Sequence, residues 1–441
     1  MIARPIKPKE RETLIRSLSS GVVPRLGLQH IQVGRSEELR SFVHDIDTIA
    51  EGGTSFRLVV GEYGSGKTFF LSLVRTIALE KGLVTMQADL SPRKRLHGSD
   101  GQSRMLLSEL VSSLSTRTKQ DGNALPNILD RFIEAVKTKR AGDIERAIRD
   151  ELADVKDVSC GYSFAAVIMQ YWKGYENDDD ILKGNALRWL RAEYTTKTDA
   201  RRDLGVGEFL GEVSIYDVLR LYTALIRKAG YKGLLVNLDE MVNLYKITSS
   251  VSRKANYEEV LYILNNTIQG TFPGIGFIMS GTPEFLTDTN RGLYSYEALR
   301  SRLAENSFAK KLGVIDYNST VLRLASLTKE ELYVLLENIR NVFASGDTEK
   351  YLVPDEALTS FLSHCAEKIG ESYFRTPRTT IKSFVDFLSI LEQNPSVKWD
   401  NIIDKVEVVQ DVEPSGVEDI IPDNNGPLNA DEDEAFASFK L

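Results

Sequence analysis

Residues 61–74 read GEYGSGKTFFLSLV, a glycine-rich run closed by a lysine and a threonine and followed by an abruptly apolar stretch. Gly61, Gly66, Lys67 and Thr68 occupy the fixed positions of G-x-x-x-x-G-K-[ST], and the β-prone run SFRLVV comes just before them. Glycines let successive backbone N–H groups turn toward one anion, and the helix that follows adds its positive N-terminal end. Lys67 can reach the β/γ-phosphates of a nucleotide, and Thr68 can hold Mg²⁺. A bare glycine turn capping a core helix is the competing reading; the strand before and the helix after favour a nucleotide site. Its lining is then Gly61, Glu62, Tyr63, Gly64, Ser65, Gly66, Lys67, Thr68 and Phe69.

Such a loop calls for a second strand ending in an acid. The best candidate lies far downstream in YKGLLVNLDEMVNL, where Leu234 to Leu238 form a buried strand and Asp239 and Glu240 stand at its C-terminal end. Ligands of open α/β sheets bind at that end. Asp239 would complete the Mg²⁺ shell, and Glu240 would polarise an attacking water. The next apolar run, GIGFIMSGT, ends in Ser280 and Thr282, either of which could reach a γ-phosphate. Beyond it, Arg300 and Arg302 precede a turn, where an arginine can act across a subunit boundary or simply face solvent. Thr328 and Glu331 have capping-box spacing, and Arg378 follows Pro377 at the start of an amphipathic helix, where its charge opposes the helix dipole and wants an anionic partner.

The 441 residues have room for two or three domains, and 42% hydrophobic content is ample for their cores. Cys160 and Cys365 lie far apart without metal-ligand spacing, which points to unpaired thiols in a reducing compartment. The N-terminus is charged and no apolar run approaches bilayer length, so a cytoplasmic protein without a membrane segment is expected. The net charge of −8 is concentrated at one end: residues 407–441 hold ten acids against one lysine, leaving the body near neutrality.

In order, these landmarks resemble the AAA+ superfamily. The likeness sets Gly34 and Arg35 beside the adenine, Gly61 to Thr68 as Walker A and Leu234 to Glu240 as Walker B. Ser280 to Thr282 then matches sensor 1, Arg300 and Arg302 the arginine-finger positions, and Arg378 sensor 2. Within the superfamily the chain resembles the BrxD-like ATP-binding proteins of BREX-type phage-defence operons, through SGVVPRLGLQHIQVGR, ALRWLRAEYTTKTDARRDLGV and YFRTPRTTIKSFVDFL. The resemblance implies an ATPase with ATP and Mg²⁺ as cofactors, homo-oligomeric and working beside other defence proteins, with DNA as a further possible partner.

The fold class expected is α/β, an AAA+ P-loop core of parallel sheet and flanking helices with a large helical insertion and a C-terminal helical lid. Its divisions are a lead-in at 1–33, the core at 34–90 and 231–315, the insertion at 91–230, the lid at 316–400 and an acidic tail at 401–441. About 143 residues separate Leu90 from Leu234, where a compact module needs only a few tens. That stretch carries Arg93-Lys94-Arg95, Lys137 to Arg140, and Tyr171, Trp172, Trp189 and Tyr194 near Lys173, Arg188 and Arg191. These residues either grip phosphates and stack bases or form a solvated helix face over a core tryptophan. The tail reads as disordered in isolation and ends in Phe436, Phe439 and Leu441, a spacing one helical face could present to a partner groove. A motor that hydrolyses ATP and a slow nucleotide-gated interaction switch both fit this sequence, and a P-loop small-molecule kinase fits less well.

Overall fold

A computed structural model describes residues 5–98, 101–139, 143–375 and 377–408. Arg140 and the tail from 409 onward, including Phe436, Phe439 and Leu441, lie outside the described residues. Five strands form one parallel sheet: β1 (Thr54–Val60), β2 (Val84–Asp89), β3 (Leu234–Asp239), β4 (Ile275–Gly281) and β5 (Val321–Arg323). Their spatial order is β2-β3-β4-β1-β5, so β4 separates β1 from β3 and the chain leaving β1 crosses to the far edge to form β2. Every residue of β3 and β4 is buried, as the unbroken apolar runs of a parallel sheet covered on both faces require.

One face is covered by helices α2 (Ser36–Ala50) and α3 (Lys67–Glu80), whose Phe42, Ile46, Phe70 and Val74 pack on Val59, Leu235 and Ile278. Buried Arg57 of β1 pins α2 in place. Its Nε donates to Asp45 Oδ2 at 2.6 Å and its Nη1 to Tyr317 O at 2.9 Å, so this interior charge is paired and hydrogen-bonded. The opposite face is met by the segment between β2 and β3, which forms seven α-helices among the described residues, from Gln102–Ser112 to Ile215–Lys228. Leu106, Phe132, Phe164, Tyr222 and Leu225 from this segment share one contiguous cluster with Phe56, Met86, Val236 and Phe277 of the sheet. The long segment is thus continuous with the sheet's own core.

The same packing decides the alternatives left open for three of its aromatic residues. Tyr171, Trp189 and Tyr194 are buried, and their polar atoms are spent on Asp130, Glu208 O and Asp203 at 2.8–2.9 Å. Rings enclosed in this way have no face on which a base can stack, so the core reading holds for them. Lys94, Lys137 and Lys173 pair with Glu109, Glu176 and Glu145, and Arg95 is buried.

Helices Lys329–Phe343, Asp355–Ile369 and Pro377–Gln393 build a second core around Leu336, Phe361, Phe384 and Leu388. Thr328 and Glu331 close the expected capping box at its first helix, with bonds of 2.9 and 3.1 Å. Helix α1 (Pro8–Ser19), read from the sequence as a lead-in, belongs to this bundle. Its Leu14 is fully buried there, and Arg11 donates to Phe343 O at 3.0 Å and pairs with Glu392. Residues 20–35 then lead toward the α/β core, with Leu28 packed in it and Ile31 still in the bundle, and the chain enters the bundle again after β5.

Candidate functional site

At the carboxyl end of β1 the chain turns through Gly61–Gly66 and enters α3. Gly64 and Gly66 hold φ of 73° and 83°, and Gly66 caps the helix. A Cβ on Gly61 would lie 2.6 Å from Ser65 Oγ and 3.2 Å from Leu324 O, so this position tolerates no side chain. The first amides of α3 have no partner within the helix and are ready to meet an anion. Ser65 Oγ is buried and lacks a hydrogen-bond partner, which marks the loop as a cradle with donors to spare. Lys67 Nζ donates to Gly61 O and Glu62 O at 2.8 and 2.9 Å. Burial lowers its pKa, opposed by the charges of Asp239 and Glu240.

Strand β3 brings Asp239 against this loop. Thr68 Oγ1 donates to Asp239 Oδ2 at 2.9 Å, while Ser280 Oγ and the Glu240 amide, the latter at 2.8 Å, both donate to Oδ1. A buried carboxylate thus receives three donors from three elements, α3, β4 and its own strand end. Hydroxyl and carboxylate oxygens are the donors Mg²⁺ prefers, and Mg²⁺ commonly takes only one or two protein groups beside substrate phosphates. Thr68 and Asp239 fit that pattern. Glu240 departs from the strand with φ 56° and faces the cavity; burial and the neighbouring Asp239 raise its pKa. The sequence reading missed Asp89, which the β2–β3 register sets directly beside Asp239, facing the same cavity. Burial raises its pKa first, then Asp239 and Glu109. Its only sequence signal was the acid closing the strand of VTMQAD.

The cavity has a volume of about 870 Å³ and is shared by core and bundle. Its apolar part is lined by Val23, Leu28, Ile31, Leu335, Ile339 and Ile381, none of which stood out in the sequence. Arg378 reaches it from the first turn of the Pro377–Gln393 helix, and its Nη1 donates to Tyr63 Oη at 3.4 Å. Phe69 also lines this cavity, whereas Glu62 lines a shallower hollow with Thr328 and Phe374. Gly34 lies against the Glu331 carboxylate, and the Arg35 guanidinium sits on the carbonyls of Ser65 and Gly66. Thr282 caps the short helix after β4, leaving Ser280 as the hydroxyl at the acidic centre. Arg300 and Arg302 stand apart on the exposed helix Glu297–Arg302, where Arg300 pairs with Glu297 at 3.7 Å and Arg302 bonds Ala298 O at 2.8 Å. Within one chain they do not meet the cavity.

No helix among the described residues is long and apolar enough to cross a membrane. Compared with individual curated proteins, the chain finds no match. Compared with family models, it matches that of the BREX system ATP-binding protein BrxC/D over residues 6–407.

Proposed function

The chain belongs to the family of BREX system ATP-binding proteins BrxC/D, and from that premise we propose that it hydrolyses ATP and passes its nucleotide state to a partner defence protein or to DNA. The observation that carries this reading is the convergence of Thr68, Asp239, Ser280 and Glu240 at the carboxyl ends of three strands, beside a loop built to face an anion. ATP lies with its base in the apolar part of the cavity and its phosphates against Gly61–Thr68. Thr68 and Asp239 would hold Mg²⁺, which would neutralise phosphate charge when bound.

Lys67 leaves the loop carbonyls for the phosphates, a short excursion for a flexible ammonium. Ser280 keeps Asp239 oriented. Glu240 takes the proton of the attacking water as that water's oxygen bonds to the γ-phosphorus and the bond to the β–γ bridging oxygen breaks. Burial and the neighbouring Asp239 raise its pKa above the ordinary carboxylate value, which makes it a stronger base than a free carboxylate. Arg378 reports the phosphates to the helical bundle, which serves as the lid. Arg300 and Arg302, exposed and far from their own cavity, act on the nucleotide of a neighbouring subunit in a homo-oligomer.

Binding of ATP to the wild type, Lys67→Ala and Glu240→Gln tests the assignment. ATP binding should be lost in the first variant and kept in the second, because the Glu240 carboxylate acts on water and not on phosphate. Equal affinity in all three would remove the site from this cavity.

A further inference from the structure

Gly34 and Arg35 are consecutive residues in the left-handed region, with φ of 61° and 56°. Glycine suits the first, because a side chain rarely adopts its φ and a Cβ there would also displace the Glu331 carboxylate. At the second an arginine takes up backbone that residues with a side chain rarely adopt, which persists only where surrounding contacts impose it. Here the contacts are those of its guanidinium. Nη2 donates to Ser65 O and, at 3.3 Å, to Ala325 O; Nη1 donates to Gly66 O at 3.4 Å. Burial opposes the charge and lowers the pKa of Arg35, with Glu38 and Glu331 pulling the other way.

The geometry of the peptide bond gives these contacts a consequence. In a trans peptide the C=O and the following N–H point in opposite directions. A guanidinium on the Ser65 carbonyl, and on the Gly66 carbonyl beside the Phe70 amide that also holds it at 3.0 Å, therefore helps to direct the amides of Gly66 and Lys67 the other way. A positive charge on the carbonyl side also polarises those amides as donors. Ala325 lies two residues beyond β5, on the connector that leads to the capping box at Thr328 and Glu331. One side chain thus joins the loop to the point where the bundle departs.

We propose that Arg35 is a positioning residue for the phosphate cradle: it orients the Ser65–Gly66 and Gly66–Lys67 peptides for the β-phosphate of a nucleoside di- or triphosphate and ties them to the bundle connector. Its part is carried through the loop carbonyls that its guanidinium holds. The inference rests on reading Gly61–Thr68 as a nucleotide site, and it predicts a dependence on phosphate number that a contact to the base would not produce.

The test uses the full chain as wild type, Arg35→Ala and Arg35→Lys. Affinities for AMP, ADP and ATP are measured by competition with a fluorescent ADP analogue, alongside the melting temperature of each ligand-free protein. Arg35→Ala should weaken ADP and ATP by about tenfold or more, in line with the loss of charge-assisted hydrogen bonds, and AMP by no more than roughly threefold. Arg35→Lys should fall between, because a single ammonium cannot span carbonyls presented to a fork. An equal loss for all three nucleotides, or no loss for any, overturns the proposal. Should Arg35→Ala fail to fold, the AMP-to-ADP ratio of Arg35→Lys decides the matter alone. A wild type that binds none of the three refutes the nucleotide site itself, and the proposal with it; a wild type that binds them with an unaltered ratio in the variants refutes only the role of Arg35.

Discussion

Removing the Ser280 hydroxyl separates two roles that one residue could play. In the structure this hydroxyl is fully buried and donates to Asp239 Oδ1, while Thr68 holds Oδ2 from the other side at 2.9 Å. Ser280→Ala leaves a buried carboxylate short of one donor, which costs about 1–3 kcal/mol. With unfolding entropy scaling by chain length, a loss near 2 kcal/mol lowers the melting temperature by about 2 °C. Held only by Thr68 and the Glu240 amide, the carboxylate should keep its orientation less firmly, so the benefit of Mg²⁺ to nucleotide affinity should fall for ADP and ATP alike. The assay is thermal unfolding together with ADP and ATP titrations, each with Mg²⁺ and with EDTA. If Ser280 instead served the γ-phosphate directly, only ATP would lose affinity and the ligand-free melting temperature would stay put. That pattern would refute the assignment of Ser280 as the residue that orients Asp239.

Three further outcomes follow from the same coordinates. Leu14→Ala should destabilise the helical bundle by about 2–5 kcal/mol, since Leu14 is fully enclosed between α1 and the bundle helices; a denaturant titration that left the bundle unaffected would contradict the place given to α1. Burial and the neighbouring Asp239 raise the folded pKa of Asp89 above the ordinary carboxylate value, so its ionised form penalises folding as pH rises through that raised value. Asp89→Asn should therefore melt higher than wild type at pH 7.5 in EDTA, with the gain shrinking toward pH 4, and a constant difference across that range would count against it. Burial pushes the thiols of Cys160 and Cys365 up to about 12, so neither should react with iodoacetamide at pH 8 in the folded protein, and both should do so once it is unfolded in denaturant.

The parts of this protein that were legible in its sequence are those whose physics is local. The loop from Gly61 to Thr68 announces itself because glycine spacing, a preceding strand and a following helix are all short-range properties. The capping box at Thr328 is local in the same sense, and the acid pair at Asp239 and Glu240 stands out because it ends an unbroken apolar run. Asp89 escaped notice because its importance comes from pairing with Asp239, 150 residues away, through a register that no local pattern encodes. Helix α1 looked like a lead-in for a similar reason: the face it buries meets helices more than 300 residues downstream. The sequence set Arg35 beside the adenine, but its contacts with the loop carbonyls were not legible there, since left-handed backbone at a non-glycine position has no sequence signature. The aromatic residues at Tyr171, Trp189 and Tyr194 could be read two ways until their burial was seen.

The measurement closest to the central claim is a single-turnover assay of ATP hydrolysis by wild type and Glu240→Gln at several protein concentrations, with bound nucleotide quantified in the same samples. The account predicts that both proteins bind ATP, that wild type converts it to ADP and phosphate, and that Glu240→Gln retains it uncleaved. Hydrolysis at the same rate in both would contradict the role given to Glu240, and with it the assignment of this cavity as the catalytic site.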